Sequence, residues 1–218
     1  MPLDGTHVPL IVRAMRKTRY KRPGPGRAAG FTLLELMITL AVAAVLAAVA
    51  VPNMRDFMRN NRLSSTSNDL LRSMHVARSE AIKRQQVMAT CASANPMDEN
   101  PTCSEGAFTG WIVFHDANNN WEHDDDEDVI DRQAAPDGVA VVNNNEGIVS
   151  YAATGFANST PGQAPTSRIV ICDVRGNQQV GTNSVARALI IEPTGRARVT
   201  RTYSEINTAL GLIGETCP

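Results

Sequence analysis

Residues 31–51 read FTLLELMITLAVAAVLAAVAV, twenty-one residues carrying one charge, Glu35. As a helix rising 1.5 Å per residue, the stretch would reach roughly 30 Å, about the hydrocarbon thickness of a bilayer. The segment before it is basic: residues 1–30 hold Arg13, Arg16, Lys17, Arg19, Lys21, Arg22 and Arg27 against Asp4 alone. Basic flanks are retained in the cytoplasm, so this leader is expected inside the inner membrane and the remainder beyond it. The overall charge of −1 therefore sums opposites, because 14 basic and 21 acidic residues follow Gly30, a balance near −7. A plain signal-anchor is one reading of such a segment, and a secretory signal cut after Ala48-Val49-Ala50 is another. Against the secretory reading stand the length of the apolar run and Glu35. A carboxylate at that depth costs about 2.5–3.5 kcal/mol and usually has a partner. No basic residue follows in the helix to serve, so the partner is sought outside the chain.

Working outward, residues 53–86 contain neither Gly nor Pro. Leu63, Leu70, Met74, Ala77 and Ala81 recur at helical spacing, and Leu71 and Ile82 widen the stripe. This predicts a helix continuing from the membrane segment, its second half packed on a globular head. His75, beside the stripe, reads as a packed or surface histidine rather than a ligand. After Gln86 the pattern changes to short apolar runs separated by turn residues. Strands are expected at Val87–Ala92, Gly110–His115, Val129–Ala134, Val139–Val142, Ile148–Ala152, Ser167–Cys172, Val185–Ile191 and Arg196–Thr202. A helix followed by antiparallel strands makes an α+β fold with its sheet wrapped on the stem. The connections near 93–109 and 154–166 read as exposed loops.

Cys91, Cys103, Cys172 and Cys217 form an even set in a head placed outside the cytoplasm, which predicts disulfides. Three pairings are open. Cys91–Cys103 is favoured because the segment between them is Pro-rich and looks like a stapled loop. Cys172–Cys217 would then tie the C-terminal tail to a strand. No CxxC pair occurs, so the cysteines do not suggest a metal centre.

Two polar clusters stand out. Residues 116–131, DANNNWEHDDDEDVID, are dense in oxygen donors. Asp116, Asn118 and Asn120 match the first, third and fifth positions of an EF-hand-like calcium loop, and Glu127 falls at the twelfth. The match fails where such loops need Gly, because Trp121 stands there, and no helices are expected to flank it. A solvated hairpin tip accounts for these residues; calcium stiffening the loop is the alternative. No other metal and no cofactor is suggested. The C-terminal region is opposite in sign, with Arg168, Arg175, Arg187, Arg196, Arg198 and Arg201 against Asp173 and Glu192. On a strand, Arg196 and Arg198 would project from one face, with Arg187 near them. Paired guanidiniums suit phosphate, although an ordinary polar strand face explains them as well. The chain shows no nucleophile elbow, P-loop, HExxH or dinucleotide-binding glycine pattern, and the reading is non-enzymatic.

Gly30-Phe31-Thr32-Leu33-Leu34-Glu35 resembles the GFTLxE processing site of type IV prepilins and pseudopilins. The resemblance implies that a prepilin peptidase cuts between Gly30 and Phe31 and that the new Phe31 amine is methylated. Glu35 would then pair with the N-terminal amine of a neighbouring subunit, and Pro52 sits where pilin helices commonly bend. Arg78-Ser79-Glu80-Ala81-Ile82-Lys83-Arg84, Gly110-Trp111-Ile112-Val113-Phe114 and Gly195-Arg196-Ala197-Arg198 together are similar to the FimT/GspH family of minor pilins and pseudopilins. That similarity runs from Gly30 to about Thr202 and implies a type IV pilin-like organisation. The leader would be 1–30, the transmembrane and filament-core helix 31–52, the helical stem 53–86 and the periplasmic head 87–218. In the FimT branch a closing GRxR motif is associated with DNA binding in natural transformation. Carried over, Arg196 and Arg198, with Arg201 and Arg187, would hold double-stranded DNA by its phosphates, without sequence preference and with strong salt dependence. The expected function is thus a minor pilin of a type IV pilus, partnered by other pilins, that primes or enters the filament and captures DNA. The alternative is a GspH-like minor pseudopilin with a structural role in type II secretion.

Overall fold

The computed structural model describes residues 30–103, 110–143, 148–158, 167–214 and 216–217. The expected leader, apart from Gly30, and parts of both long connections lie outside the described residues. Helix α1 runs from Leu33 to Arg84. Its start is written locally: the Thr32 hydroxyl accepts the Glu35 backbone N–H at 3.1 Å, the Thr-x-x-Glu arrangement that caps orphan amides of a first turn. Its end is Gln85, held at φ 56°, which leaves the right-handed helical region.

Up to Ala47 the side chains of the helix are exposed among the described residues; Leu33 is 77% exposed and Leu46 66%. This part of α1 is long and apolar enough to cross a membrane. Helix α1 continues through Pro52, whose ring nitrogen has no hydrogen to donate. One residue on, the Asn53 side-chain amide donates to the Val49 carbonyl at 3.0 Å.

From Leu63 onward one face of α1 is buried, through Leu63, Thr66, Ser67, Leu70, Ser73, Met74, Ala77 and Ala81. The apolar stripe read from the sequence supplies that face, except that Ile82 remains 45% exposed.

Ten strands follow among the described residues: β1 (Met88–Ser93), β2 (Gly110–His115), β3 (Val129–Ala134), β4 (Ala140–Asn143), β5 (Ile148–Tyr151), β6 (Ala157–Asn158), β7 (Ser167–Cys172), β8 (Gln179–Val180), β9 (Asn183–Ile191) and β10 (Ala197–Thr202). They form two antiparallel sheets, one ordered β3-β2-β1-β5-β6 and the other β10-β9-β7-β4, with β8 paired to β9. The stem lies against both. Its Leu63, Leu70, Met74, Ala77 and Ala81 share one core with Met88, Trp111, Val113, Val149 and Tyr151 of the first sheet and Ile169, Ile171, Leu189, Ile191 and Ala197 of the second. Each large side chain so enclosed contributes roughly 1.5–3 kcal/mol relative to exposure.

The other side of the second sheet is covered by a helix that the sequence reading did not anticipate, α2 (Tyr203–Ile213). Ile206, Ala209 and Leu210 pack there on Val170, Cys172, Ala186 and Ala188. Gly214 ends α2 at φ 77°, its N–H reaching the Leu210 carbonyl. Two disulfides join Cys91 to Cys103 and Cys172 to Cys217.

Polar side chains fix the stem in register with the sheets. Trp111 donates its indole N–H to Ser73 Oγ at 2.9 Å, and Ser73 donates to Asp131 Oδ2 at 2.8 Å. Arg78 reaches across to the carbonyls of Gly155 and Thr194 at 2.9 and 3.0 Å. That clamp requires Gly195, which sits at φ 77° and whose added Cβ would lie 2.0 Å from the Gly155 carbonyl oxygen.

Candidate functional site

Three regions carried functional expectations. In the first, Gly30, Phe31 and Glu35 are all exposed. The Glu35 carboxylate has no hydrogen-bond or ionic partner among the described residues. Its backbone N–H is capped by the Thr32 hydroxyl, while its side chain stays available at the start of an apolar rod.

The second region is the arginine-bearing sheet. Strand β10 is an edge strand, and its residues divide by parity between two faces. Ala197 and Val199 join the core against the stem. Arg198 and Thr200 point to the α2 side, where Arg198 Nη2 lies 2.8 Å from Glu205 Oε1 and the Thr200 hydroxyl donates to the same carboxylate. Glu192 is a further 4.0 Å neighbour of Arg198. The Arg198 hydrogen bond, then that of Thr200, holds the Glu205 carboxyl below the usual range. Register places Arg198 and Arg168 opposite the same residue, Ile190, on the two flanks of β9. Arg196 precedes the strand and Arg201 lies near its end; both are exposed, and neither has a carboxylate partner among the described residues.

Arg187 does not belong with them. It is 3% exposed and projects to the stem face of β9, donating to the carbonyls of Val185 and Ala186 at 2.7 and 3.0 Å and to Ser64 Oγ. Burial, with the nearby charges of Arg201 and Arg175, lowers its pKa to about 10. The expectation that it lines a phosphate-binding surface is corrected: strand parity puts it on the opposite side of the sheet from Arg198, inside the core.

Arg175 is likewise structural. It grips Asp173 through Nε and Nη2, the latter at 2.7 Å, and donates to Asn60 of the stem at 2.9 Å.

The third region is the loop between β2 and β3. Asp116 is 1% exposed and Glu127 8%. Successive side chains fold onto the loop's own amides: Asp116 Oδ1 and Asn118 Oδ1 both accept from the Asn120 N–H, and Asn120 Oδ1 accepts from Glu122. Glu127 closes the loop, Oε1 accepting from the Ala117 N–H at 2.7 Å and Oε2 from Asp124. Asp124 Oδ2 in turn takes both amide groups of Asn118 and Asn120, at 2.8 and 2.9 Å. Trp121 stands at φ 70°, the left-handed region normally taken by Gly. The loop thus makes with a tryptophan the turn that seemed to need a glycine. His123 packs edge-on against Phe114 and bridges the carbonyls of Pro101 and Glu127.

The second part of the stem and β1 to β9 coincide with a family signature. A model of the family described as Type II transport protein GspH matches residues 66–195, and a prokaryotic N-terminal methylation motif matches residues 26–51. This chain belongs to the GspH family. As a GspH-family protein with a methylation motif it is a pilin or pseudopilin, of a type IV pilus or a type II secretion system. It is a filament protein and not an enzyme. Family membership implies assembly with other pilins and processing by a prepilin peptidase.

Similar solved structures include the type IV minor pilin FimU of Pseudomonas aeruginosa strain PAO1 in one crystal form, at 17% identity and TM-score 0.44 over 68% of this chain and 94% of that one. A second crystal form gives 15% and 0.42, over 65% and 94%. The minor pseudopilin EpsH from the type 2 secretion system of Vibrio cholerae matches at 8% identity and TM-score 0.42, over 64% of this chain and 97% of that one. A comparison with curated proteins found no match.

The GspH-family match runs from Thr66, partway along the stem, to Gly195, so it stops before β10 with its arginines and before α2. For α2 a signal was present: Ile206, Ala209, Leu210 and Ile213 at helical spacing, then Gly214.

Proposed function

We propose that this protein is a minor pilin of a type IV pilus that binds double-stranded DNA without sequence preference. In this reading the leader is removed after Gly30 and the Phe31 amine is methylated. Residues 31–52 hold the subunit in the inner membrane with its head in the periplasm. Glu35 then draws it into the filament by pairing with the N-terminal amine of a neighbouring subunit. Support comes from an apolar helix left exposed, and from a carboxylate near its start left without a partner, among the described residues.

The observation that carries the DNA reading is the exposure of Arg196, just before an edge strand, and of Arg201, near its end, neither engaged by a carboxylate among the described residues. Arg198, between them in sequence, is 38% exposed at its side chain and can share its guanidinium with a phosphate only by loosening Glu205. Arg196 and Arg201 are therefore the primary contacts. Since each phosphate contact releases condensed counterions, binding should weaken steeply with salt.

The test is fluorescence anisotropy of the detergent-solubilised chain on duplexes of unrelated sequence, across a salt series. Arg196→Ala with Arg201→Ala should lower affinity at least tenfold and flatten the slope of log K against log salt by about two, leaving the thermal midpoint unchanged. Unchanged affinity sinks the DNA reading.

A second reading, a structural pseudopilin of a type II secretion system, is favoured by the Arg198–Glu205 pair. That contact gives the closing motif a task in holding α2 that needs no nucleic acid.

A further inference from the structure

The loop from Asp116 to Glu127 keeps a carboxylate oxygen in an unusual state. Asp116 is 1% exposed, its Oδ1 accepts from the Asn120 N–H at 3.1 Å, and its Oδ2 is buried with no hydrogen-bond partner among the described residues. A buried polar oxygen left unmatched is costly, and a native fold normally supplies a donor or a cation. Among the described residues no donor reaches it.

Its surroundings are oxygen donors. The Glu127 carboxylate closes the same loop and is itself buried. The Asn118 and Asn120 side-chain amides both donate to Asp124 Oδ2.

The spacing names the charge. In the twelve-residue loop that binds calcium, positions 1, 3 and 5 give side-chain oxygens, position 7 a backbone carbonyl, position 9 a further oxygen and position 12 a bidentate carboxylate. Here those positions are Asp116, Asn118, Asn120, Glu122, Asp124 and Glu127. Position 6, where such loops turn sharply, is Trp121 at φ 70°.

We infer that the Asp116–Glu127 loop is a calcium site built on a β-hairpin, with the buried unpartnered oxygen of Asp116 and the Glu127 carboxylate as its inner ligands. The remaining oxygens come from Asn118, Asn120, the Glu122 carbonyl and Asp124. The donor set is all oxygen and too numerous for magnesium, which demands six ligands at shorter range and keeps several waters. Occupancy stiffens the loop that joins β2 to β3 and, through His123, the segment around Pro101 next to the Cys91–Cys103 disulfide. The site is separate from the arginines of β10 and does not depend on the DNA reading.

The experiment is isothermal titration of calcium into the full chain in non-ionic detergent after chelator treatment, with terbium luminescence sensitised through Trp121 as a local readout. One site per chain is expected, with Kd in the range of about 10⁻⁵ to 10⁻³ M, and without displacement by equimolar magnesium. Glu127→Gln should weaken binding at least tenfold. Asn118→Ala, at an exposed position whose loss leaves the core intact, should weaken it several-fold and dim the terbium signal. Asp125→Asn with Asp126→Asn, both exposed and outside the ligand positions, should change Kd less than threefold. The inference is overturned by the absence of saturable binding below about 10 mM, or by equal affinity in the Glu127→Gln and Asn118→Ala proteins. It is equally overturned if the Asp125/Asp126 pair weakens binding as much as Glu127→Gln, since that would be diffuse attraction to an acidic loop.

Discussion

Arg175 and Arg187 look alike in the sequence, each an isolated cation among strands, and the structure gives them opposite electrostatics. Arg187 is buried against carbonyls and a serine, so its charge is a cost the fold tolerates. Arg175 is joined to Asp173, which is 4% exposed. Burial pushes the Asp173 carboxyl up, but the Arg175 hydrogen bonds and charge outweigh it and hold the carboxyl below its ordinary value near 3.8. A depressed folded value means the unfolded chain takes up the proton first. The stabilisation is therefore fully present above pH 3.8 and lost as pH falls through the folded value. Replacing Arg175 with Ala strands a buried carboxylate. We expect a loss of about 3 kcal/mol at neutral pH, a fall in thermal midpoint of roughly 6–12 °C. Acid unfolding should also begin at higher pH, because burial alone then governs Asp173. Circular dichroism melts from pH 3 to 8 measure both effects, and an unchanged acid limb would refute the pairing argument. The strand carrying Arg187 was legible, but not that this arginine would face the core, because alternation fixes only relative faces until a neighbour decides which face is inside.

Among the elements, α1 and most strands were written in local pattern. Gly110–His115, Val129–Ala134 and Ser167–Cys172 have the boundaries that their apolar runs suggest. Short β6 and β8 were not legible, since two-residue strands exist only through their partners. Helix α2 was overlooked although its pattern is regular, because an apolar stripe of three turns after a strand is ambiguous without the sheet it covers. It is held there by burial, by Arg198 on Glu205 and by the bond from Cys172 to Cys217, which closes 45 residues. Substituting both cysteines with Ser should lower stability by about 2–5 kcal/mol, with faster hydrogen exchange concentrated in α2 rather than in β1 and β2. Protection in α2 equal to that of the parent protein would show that packing alone holds it.

For the whole molecule, the consequential fact is that one chain carries a packed head and an apolar helix whose side chains are exposed among the described residues. In water Leu33, Leu40 and Leu46, all more than half exposed, would associate without specificity; a bilayer or a bundle of like helices removes them from water. In the proposed function, Glu35 is the group that draws the inserted helix into the filament. Glu35→Leu should leave membrane extraction behaviour and the head's thermal midpoint as they are, yet remove the protein from sheared filaments in an immunoblot of pilus fractions. Normal incorporation of Glu35→Leu would mean that the carboxylate serves no assembly partner.

The quoted apolar stretch, its lone carboxylate and the glycine–phenylalanine junction before it determined the class of this protein without any structure, because insertion and processing read local sequence. Strand periodicity and cysteine parity likewise needed only neighbours along the chain. What tertiary structure decided was the use of charge. It buried Arg187, bound Arg198 to α2, left Arg196 and Arg201 open, and enclosed the Asp116 carboxylate where no donor among the described residues reaches Oδ2. Those outcomes depend on which face of a strand meets the stem and on how a loop folds over its own amides. Such contacts join residues far apart in sequence or in conformations that residue type alone disfavours, as Trp121 shows.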